Sequence, residues 1–253
     1  MRFDELDLRM RVYETNHDHR VLPGMFMVAR IDGRGFTKLT RERHPFDAPY
    51  DIRFRDLMLE TMEHIMSCGF RTVLAYTQSD EISILFDPAD ESFSRKERKY
   101  LSILAGEASA RFSLSLGELA SFDARLSLMP SPNLVIDYFR WRMEDAARNC
   151  LNSHCYWMLR KEGAPAEVAA SSLKGLGSSQ KHELLYSHGV NFNDLPAWQR
   201  RGCGCYYTEK PKSGLDPRNG HMTTTIRRTL TRDLELPVGD AIAPLILTLL
   251  GAG

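Results

Sequence analysis

Two short acidic segments carry the chemistry this chain offers most plainly. Asp32 closes an apolar run over residues 25–31 and leads into Gly33-Arg34-Gly35, while Asp80 and Glu81 stand in the polar stretch 77–81 between two further apolar runs. Carboxylates brought together in this way can hold two divalent ions about 3.5–4 Å apart, the arrangement that lowers the barrier to in-line phosphoryl displacement. Magnesium suits them, because it is hard, prefers oxygen and usually takes one or two protein carboxylates beside phosphate oxygens. No protein nucleophile is needed if a bound ribose hydroxyl attacks. Gly33 and Gly35 allow the backbone to turn sharply and approach a phosphate or metal. Arg95, Lys96, Arg98 and Lys99 fall on the expected first turns of a helix, where Lys96 and Lys99 are i,i+3 neighbours able to converge on a triphosphate. Each signal alone has a plainer reading: Asp-Gly as a turn, Ser-Asp-Glu as a hairpin tip, the basic run as a solvated helix face.

For Asp32 and Asp80 to meet, the elements around them must build one sheet. The pattern predicts a strand over 25–31, a helix over 51–66 capped by Asp51, strands over 71–76 and 82–86, a helix over 94–116 and a strand over 126–129 stopped by Pro130. That order, βαββαβ, is the split pattern of a ferredoxin-like α+β sheet, the palm of polymerases and nucleotide cyclases. Its first and third strands are central neighbours, so acids at their ends share one edge. Beyond the palm (residues 1–130), residues 131–253 read as helices over 134–159, 165–173 and 178–186, then strand-like runs over 204–208 and 222–230 flanking a turn-rich stretch. This second part is expected to form a helical region and a β-hairpin arm, in one compact unit with the palm.

The 33 basic and 33 acidic residues cancel, so any nucleic-acid surface must be local. The acidic N-terminus lacks a secretory apolar run, and no run reaches the roughly 18 residues of a membrane helix. A cytoplasmic protein without a membrane partner is expected. Five cysteines, odd in number, do not suggest a disulfide framework. Cys203 and Cys205 are spaced C-x-C, with no second pair at finger spacing, so no structural zinc is expected. His154 and the tryptophans Trp141 and Trp157 read as packed residues of the long helix. Arg200 and Arg201 beside Tyr206 and Tyr207 read equally as an RNA contact or a strand pair.

Four segments resemble the tRNA(His) guanylyltransferase family, which adds nucleotides to the 5′ end of tRNA in the 3′-to-5′ direction. They are Arg30-Ile-Asp-Gly-Arg-Gly-Phe36, Ala75-Tyr-Thr-Gln-Ser-Asp-Glu-Ile-Ser83, Phe122-Asp-Ala-Arg125 and Tyr138-Phe-Arg-Trp-Arg142. They occur in the family's order and approximate spacing, within a resemblance covering roughly residues 25–186. It implies two magnesium ions on Asp32, Asp80 and the Gly33 carbonyl, with Glu81 supporting catalysis. It also implies nucleotide contacts from Arg34, Gly35, Phe36, Ser79, Lys96 and Lys99, and a base and ribose site at Phe46 and Asp51, where a family lysine is replaced by Ala48. Arg125 and Asn149 become candidate RNA contacts. ATP and GTP or another nucleoside triphosphate would be substrates, tRNA the partner, and a homotetramer the assembly.

One departure bears on specificity. Where guanylyltransferases proper carry His-Ile-Asn-Asn-Leu-Tyr-Asn, residues 147–153 read Ala-Arg-Asn-Cys-Leu-Asn-Ser, keeping Asn149 and Leu151. This favours the guanylyltransferase-like branch, template-dependent repair of 5′-truncated tRNAs after ATP activates the 5′-monophosphate. The alternative is guanosine addition to histidine tRNA. More distant readings are a nucleotide cyclase, which uses a similar palm, and a non-catalytic tRNA-binding module. Acids crowded where RNA phosphates approach argue against the last.

Overall fold

The computed structural model describes residues 2–215, 218 and 221–251. The strands are β1 (Phe26–Arg34), β2 (Thr72–Gln78), β3 (Glu81–Phe86), β4 (Ser121–Met129), β5 (Cys203–Leu215) and β6 (Met222–Asp233). The helices are α1 (Phe3–Thr15), α2 (Phe36–Lys38), α3 (Ile52–Ser67), α4 (Glu97–Leu116), α5 (Pro132–Lys161), α6 (Ala166–Leu173), α7 (Ser178–Ser187), α8 (Ala197–Arg201) and α9 (Ile242–Leu249). The sheet runs β4-β1-β3-β2-β5-β6, every neighbouring pair antiparallel. The first four strands with α3 and α4 are the expected α+β palm.

Strand alternation sorts the core into two layers. Ala29, Ile31, Ile82 and Ile84 face α3 and α4, joining Met62, Ile65, Leu104 and Phe112. Val28, Leu74, Tyr76 and Leu85 face the other way, onto Val135, Phe139 and Met143 of α5 and Ile242 and Ile246 of α9. Full burial of an Ile, Leu or Phe side chain contributes about 1.5–3 kcal/mol, so both layers lock the register of β1 and β3. Asp51 caps α3 as expected, its carboxylate accepting from the Arg53 amide at 2.7 Å.

The structure corrects several boundaries. β1 continues through Arg34, so Asp32 lies inside a strand and Gly35, at φ 74°, makes the turn. The second palm helix begins at Glu97, because Phe93, Ser94 and Arg95 take positive φ (51°, 55°, 56°) and interrupt the helical period. Arg95 and Lys96 therefore precede α4. The arm is longer than expected and belongs to the palm sheet, since Cys203–Tyr206 pair with Leu74–Thr77. Helices α1 and α9 had no counterpart in the sequence reading.

The turn after β1 demands one particular residue. A Cβ at Gly33 would stand 2.5–2.8 Å from the Phe36 ring, and that ring is held among Phe54, Phe112 and Phe122 at centroid distances of 4.8–6.1 Å. Gly33→Ala should therefore destabilise the fold by about 1–3 kcal/mol, the usual cost of overpacking. Adding Phe36→Leu should return part of that loss in chemical denaturation, whereas additive losses would show that the clash is not the cause.

Candidate active site

The sheet brings the predicted acids together. Asp32 stands opposite Glu81 on β3 and opposite Asp123 on β4. Directly opposed residues project to one face, so all three emerge on the α5 side, away from Ile31 and Ile82. Asp80 joins them from the two-residue β2–β3 connection, where Ser79 takes φ 53°. The Gly33 amide donates to the Asp80 carbonyl at 2.9 Å, tying the end of β1 to that connection. Burial pushes the Asp80 carboxyl above its ordinary range, and the charge of Asp32 adds to the effect. Its side-chain partner is the Ser79 hydroxyl at 3.1 Å; Asp32 has no side-chain partner among the described residues. Two hard carboxylates without a matching cation fit a divalent ion of the magnesium type.

Glu81 is placed differently from its sequence expectation. Arg142 of α5 grips it in bidentate fashion at 2.7 and 2.9 Å, and Arg30 lies 3.6 Å away. Burial still raises its pKa, against the pull of Arg142 and Arg30. One turn earlier, the Tyr138 hydroxyl meets Ser83 at 3.0 Å. Tyr138 and Arg142 thus strap α5 to β3, and Glu81 anchors that strap beside the acids.

Asp80 also borders a cavity of about 250 Å³. Phe46, Tyr50, Phe54, Trp157 and Trp198 give it an aromatic wall, while Thr77, Gln78, Ser79, Asp80 and Ser153 supply polar atoms. Arg41 lies over Trp157 at 5.5 Å, Arg53 over Phe46 at 5.4 Å and Arg55 over Trp198 at 4.9 Å. Aromatic faces, nearby guanidinium groups and a carboxylate at the mouth suit a planar base attached to phosphates. Asp51 lines this cavity, yet its carboxylate is already engaged by Arg53 and by the Asp47 and Arg53 amides. The Arg53 guanidinium, with those amides, holds it down at about 2. It shapes the wall formed by residues 46–51.

The tRNAHis guanylyltransferase family model matches residues 7–130, and the model of the Thg1 C terminal domain matches 133–235. The tRNA(His) guanylyltransferase of Schizosaccharomyces pombe is 36% identical over 193 residues, covering 72% of this chain and 74% of that protein. The chain belongs to the tRNA(His) guanylyltransferase family. It is accordingly a nucleotidyltransferase. A probable tRNA(His) guanylyltransferase of Drosophila melanogaster is 34% identical over 201 residues, with 76% and 70% coverage. A bacterial guanylyltransferase-like protein solved in complex with GTP superposes with a TM-score of 0.75 at 25% identity, over 98% of this chain and 99% of that one. Another such structure, in complex with ATP, has a TM-score of 0.73 at 26% identity, over 92% and 93%.

Not every predicted site residue of this family member gathers here. Ser79, Phe46, Asp51 and Phe36 line the cavity, though Phe36 is a buried core ring. Gly33 and Gly35 shape the turn, and Arg34 is exposed. Lys96 and Lys99 lie near the start of β1, where Arg95 donates to the Leu22 and Met25 carbonyls. Six strand residues separate that end from Asp32, roughly 20 Å. Lys96 there pairs with Asp18, which Arg98 also holds. Arg125 pairs with Asp123 on the open face of β4, and Asn149 bonds Asp145 on exposed α5. Arg200 donates to the Leu195 carbonyl and Arg201 pairs with Glu235. The tyrosines between them are engaged, Tyr206 with Asp233 and Tyr207 with the Met66 carbonyl. His154 is packed as expected, stacked on Tyr50 at 5.6 Å. Trp157 is a cavity wall and Trp141 is 54% exposed, so neither is core. Arg41, Tyr50, Arg55 and Trp198 escaped the sequence reading; their signal is aromatic and cationic types recurring outside any apolar stripe.

Two measurements check these placements. Glu81→Ala should cost up to about 3–5 kcal/mol by leaving the buried Arg142 with Asp145, at 3.3 Å, as its one acidic partner, and Glu81→Ala with Arg142→Met should recover most of it; equal losses in both would deny that the pair is the anchor. For Asp80, whose folded pKa is raised, the ionised form penalises the metal-free fold, and the penalty grows as pH rises from the ordinary carboxylate range, near 4, through the folded value. Asp80→Asn should therefore raise the melting temperature of the metal-free protein at pH 7, by roughly 2–4 °C per kcal/mol relieved. The gain should vanish below about pH 4, and a gain independent of pH would refute the charge assignment.

Proposed function

We propose that this protein transfers a nucleotide to the 5′ end of tRNA(His), with guanosine as the added residue. The observation that carries the reading is Asp80 at the border of an aromatic cavity, with Asp32 brought beside it by the bond from the Gly33 amide to the Asp80 carbonyl. Asp32, Asp80 and the Gly33 carbonyl are the residues that would hold magnesium, as two ions in this reading; bound there, it would acidify an attacking hydroxyl and neutralise phosphate charge. The aromatic wall orients the base of ATP or GTP. Ser79 and Arg41 offer hydrogen-bond donors to its phosphates. Glu81 positions the edge of β3 instead of moving a proton, because Arg142 occupies both its oxygens. A tetrameric, cytoplasmic protein belongs to the same proposal.

Template-directed repair of truncated tRNAs is the second reading. Its support is the segment 147–153, of which Ser153 reaches the cavity while Arg148 and Asn149 are exposed on α5. The relatives' names favour guanosine addition to tRNA(His) over it. Incubating the protein with labelled nucleotides and either full-length histidine tRNA or 5′-truncated tRNAs of several anticodons separates the two. Preference for histidine tRNA with guanosine added supports the main reading; addition that follows the opposing base across anticodons moves the assignment to repair. Asp32→Ala and Asp80→Ala should each lower transfer by roughly 10²-fold or more, the scale of losing one preorganised electrostatic partner. Near-normal turnover in either would remove these acids from the chemistry.

A further inference from the structure

The aromatic cavity beside Asp80 does not end at its own wall. Asp47, Pro49, Tyr50 and Trp157 also line an open groove, which Arg160 and Lys161 at the end of α5 complete. Ser153, Trp157 and Lys161 are spaced by four, so they share one face of α5 and mark a track of about 12 Å from the cavity to the surface. The groove holds about 490 Å³, far more than the roughly 30 Å³ of one water, so it suits a group of many atoms and not an ion alone.

Its floor and its far end differ in chemistry. Pro49, Tyr50 and Trp157 give apolar and aromatic faces, and the Tyr156 ring meets Trp157 edge-on at 5.4 Å. At the far end Lys161 is exposed, and Arg160 uses one N–H on the Ala164 carbonyl at 2.9 Å. Among the described residues no ion pair reaches either cation; the adjacent Glu162 pairs with His188 at 3.5 Å. Asp47 is the one acid lining the groove, and its charge acts on Arg53. Asp80 borders the cavity but not the groove. The phosphates of a nucleotide whose base fills the cavity are therefore drawn to the metal that Asp80 would hold, and Arg160 and Lys161 are left to a different anion.

We propose that this groove takes an unpaired RNA strand, the 3′ end that runs on from the nucleotide opposite the reacting 5′ end; this rests on the tRNA reading above. In a tRNA the strand paired with the 5′ end continues as a short single strand, so unpaired bases begin beside the reacting phosphate. A base laid against Pro49 and Trp157 gains stacking, and the phosphate that follows meets Arg160 and Lys161 one helical turn on. Stacking and charge accept any base, so the contact supplies affinity without reading sequence. Held there, the strand fixes where its paired 5′ partner lies relative to Asp32 and Asp80.

The test measures transfer and equilibrium binding for a tRNA with its 3′ single strand and for the same tRNA trimmed to a blunt end. The proteins are wild type, R160Q/K161Q and Lys161→Glu. For wild type, trimming should raise KM about tenfold, with kcat unchanged. In R160Q/K161Q the untrimmed RNA should fall to the level of the trimmed one, whose kinetics the substitutions leave alone, because both changes remove the same contact. The slope of log affinity against log salt for untrimmed RNA should drop by about 0.7 for each lost single-strand phosphate contact. Lys161→Glu keeps the bond from Arg160 to Ala164 and should act in the same direction. Equal losses for trimmed and untrimmed RNA, or none for either, would overturn the proposal. So would a higher KM for ATP with RNA binding unchanged, which would assign the groove to the nucleotide. If wild type transfers nothing to either RNA, the tRNA reading fails by itself, while the binding of the two RNAs still decides the role of the groove.

Discussion

The hydrogen bond from the Gly33 amide to the Asp80 carbonyl is the constraint on which the site depends. It extends the β1–β3 ladder past the Asp32–Glu81 pair and ties the two-residue connection to the central strand. Residue 33 has no side chain, so the Phe36 ring lies directly against the backbone at this point. That ring belongs to an aromatic group with Phe54, Phe112 and Phe122, which connects the turn to both palm helices. The result is a rigid mount for two acids whose mutual repulsion would otherwise drive them apart. Burial makes that repulsion felt, since partial exclusion of water weakens dielectric screening.

Asp80 and Glu81 are adjacent acids with opposite roles, and their surroundings decide which is which. Both have raised pKa values from burial. Glu81 finds two guanidinium groups, so its charge is matched inside the protein and its oxygens are used. Asp80 finds a single hydroxyl and a second carboxylate, so its charge is matched only by something from outside. A structural acid and a ligand-seeking acid thus stand side by side, and the strap from α5 keeps the first from competing for the second's partner.

Much of this was legible in the sequence where local pattern and global fold agree. The apolar runs over 25–31 and 82–86, the Asp51 cap and the Asp-Gly and Ser-Asp-Glu segments pointed to the palm and to its two acids, because buried strands bounded by turn residues announce themselves locally. Lys96 and Lys99 were misplaced for a physical reason. The basic run has helical spacing, but three positive-φ residues at 93–95, held by Arg95 bonding to Leu22 and Met25, set the start of α4 at the far end of the sheet. Trp157 and Trp198 were illegible as a cavity wall because they meet only through tertiary packing of α5 and α8. The Glu81–Arg142 pair joins residues far apart in the chain, and no local rule announces it.

Charge distribution completes the account. Neutral overall balance suggests an indifferent surface, but the structure shows where balance is achieved. Arg30, Arg43, Arg53, Arg55, Arg71, Arg98, Arg111 and Arg142 each have an acidic partner, so their fields cancel over short distances. Asp32 and Asp80 have no such cationic partner among the described residues, and burial of Asp80 keeps their negative field from being dissipated in water. Screening confines that field to about 8–10 Å at ordinary salt, so only a cation that enters the site itself can match it.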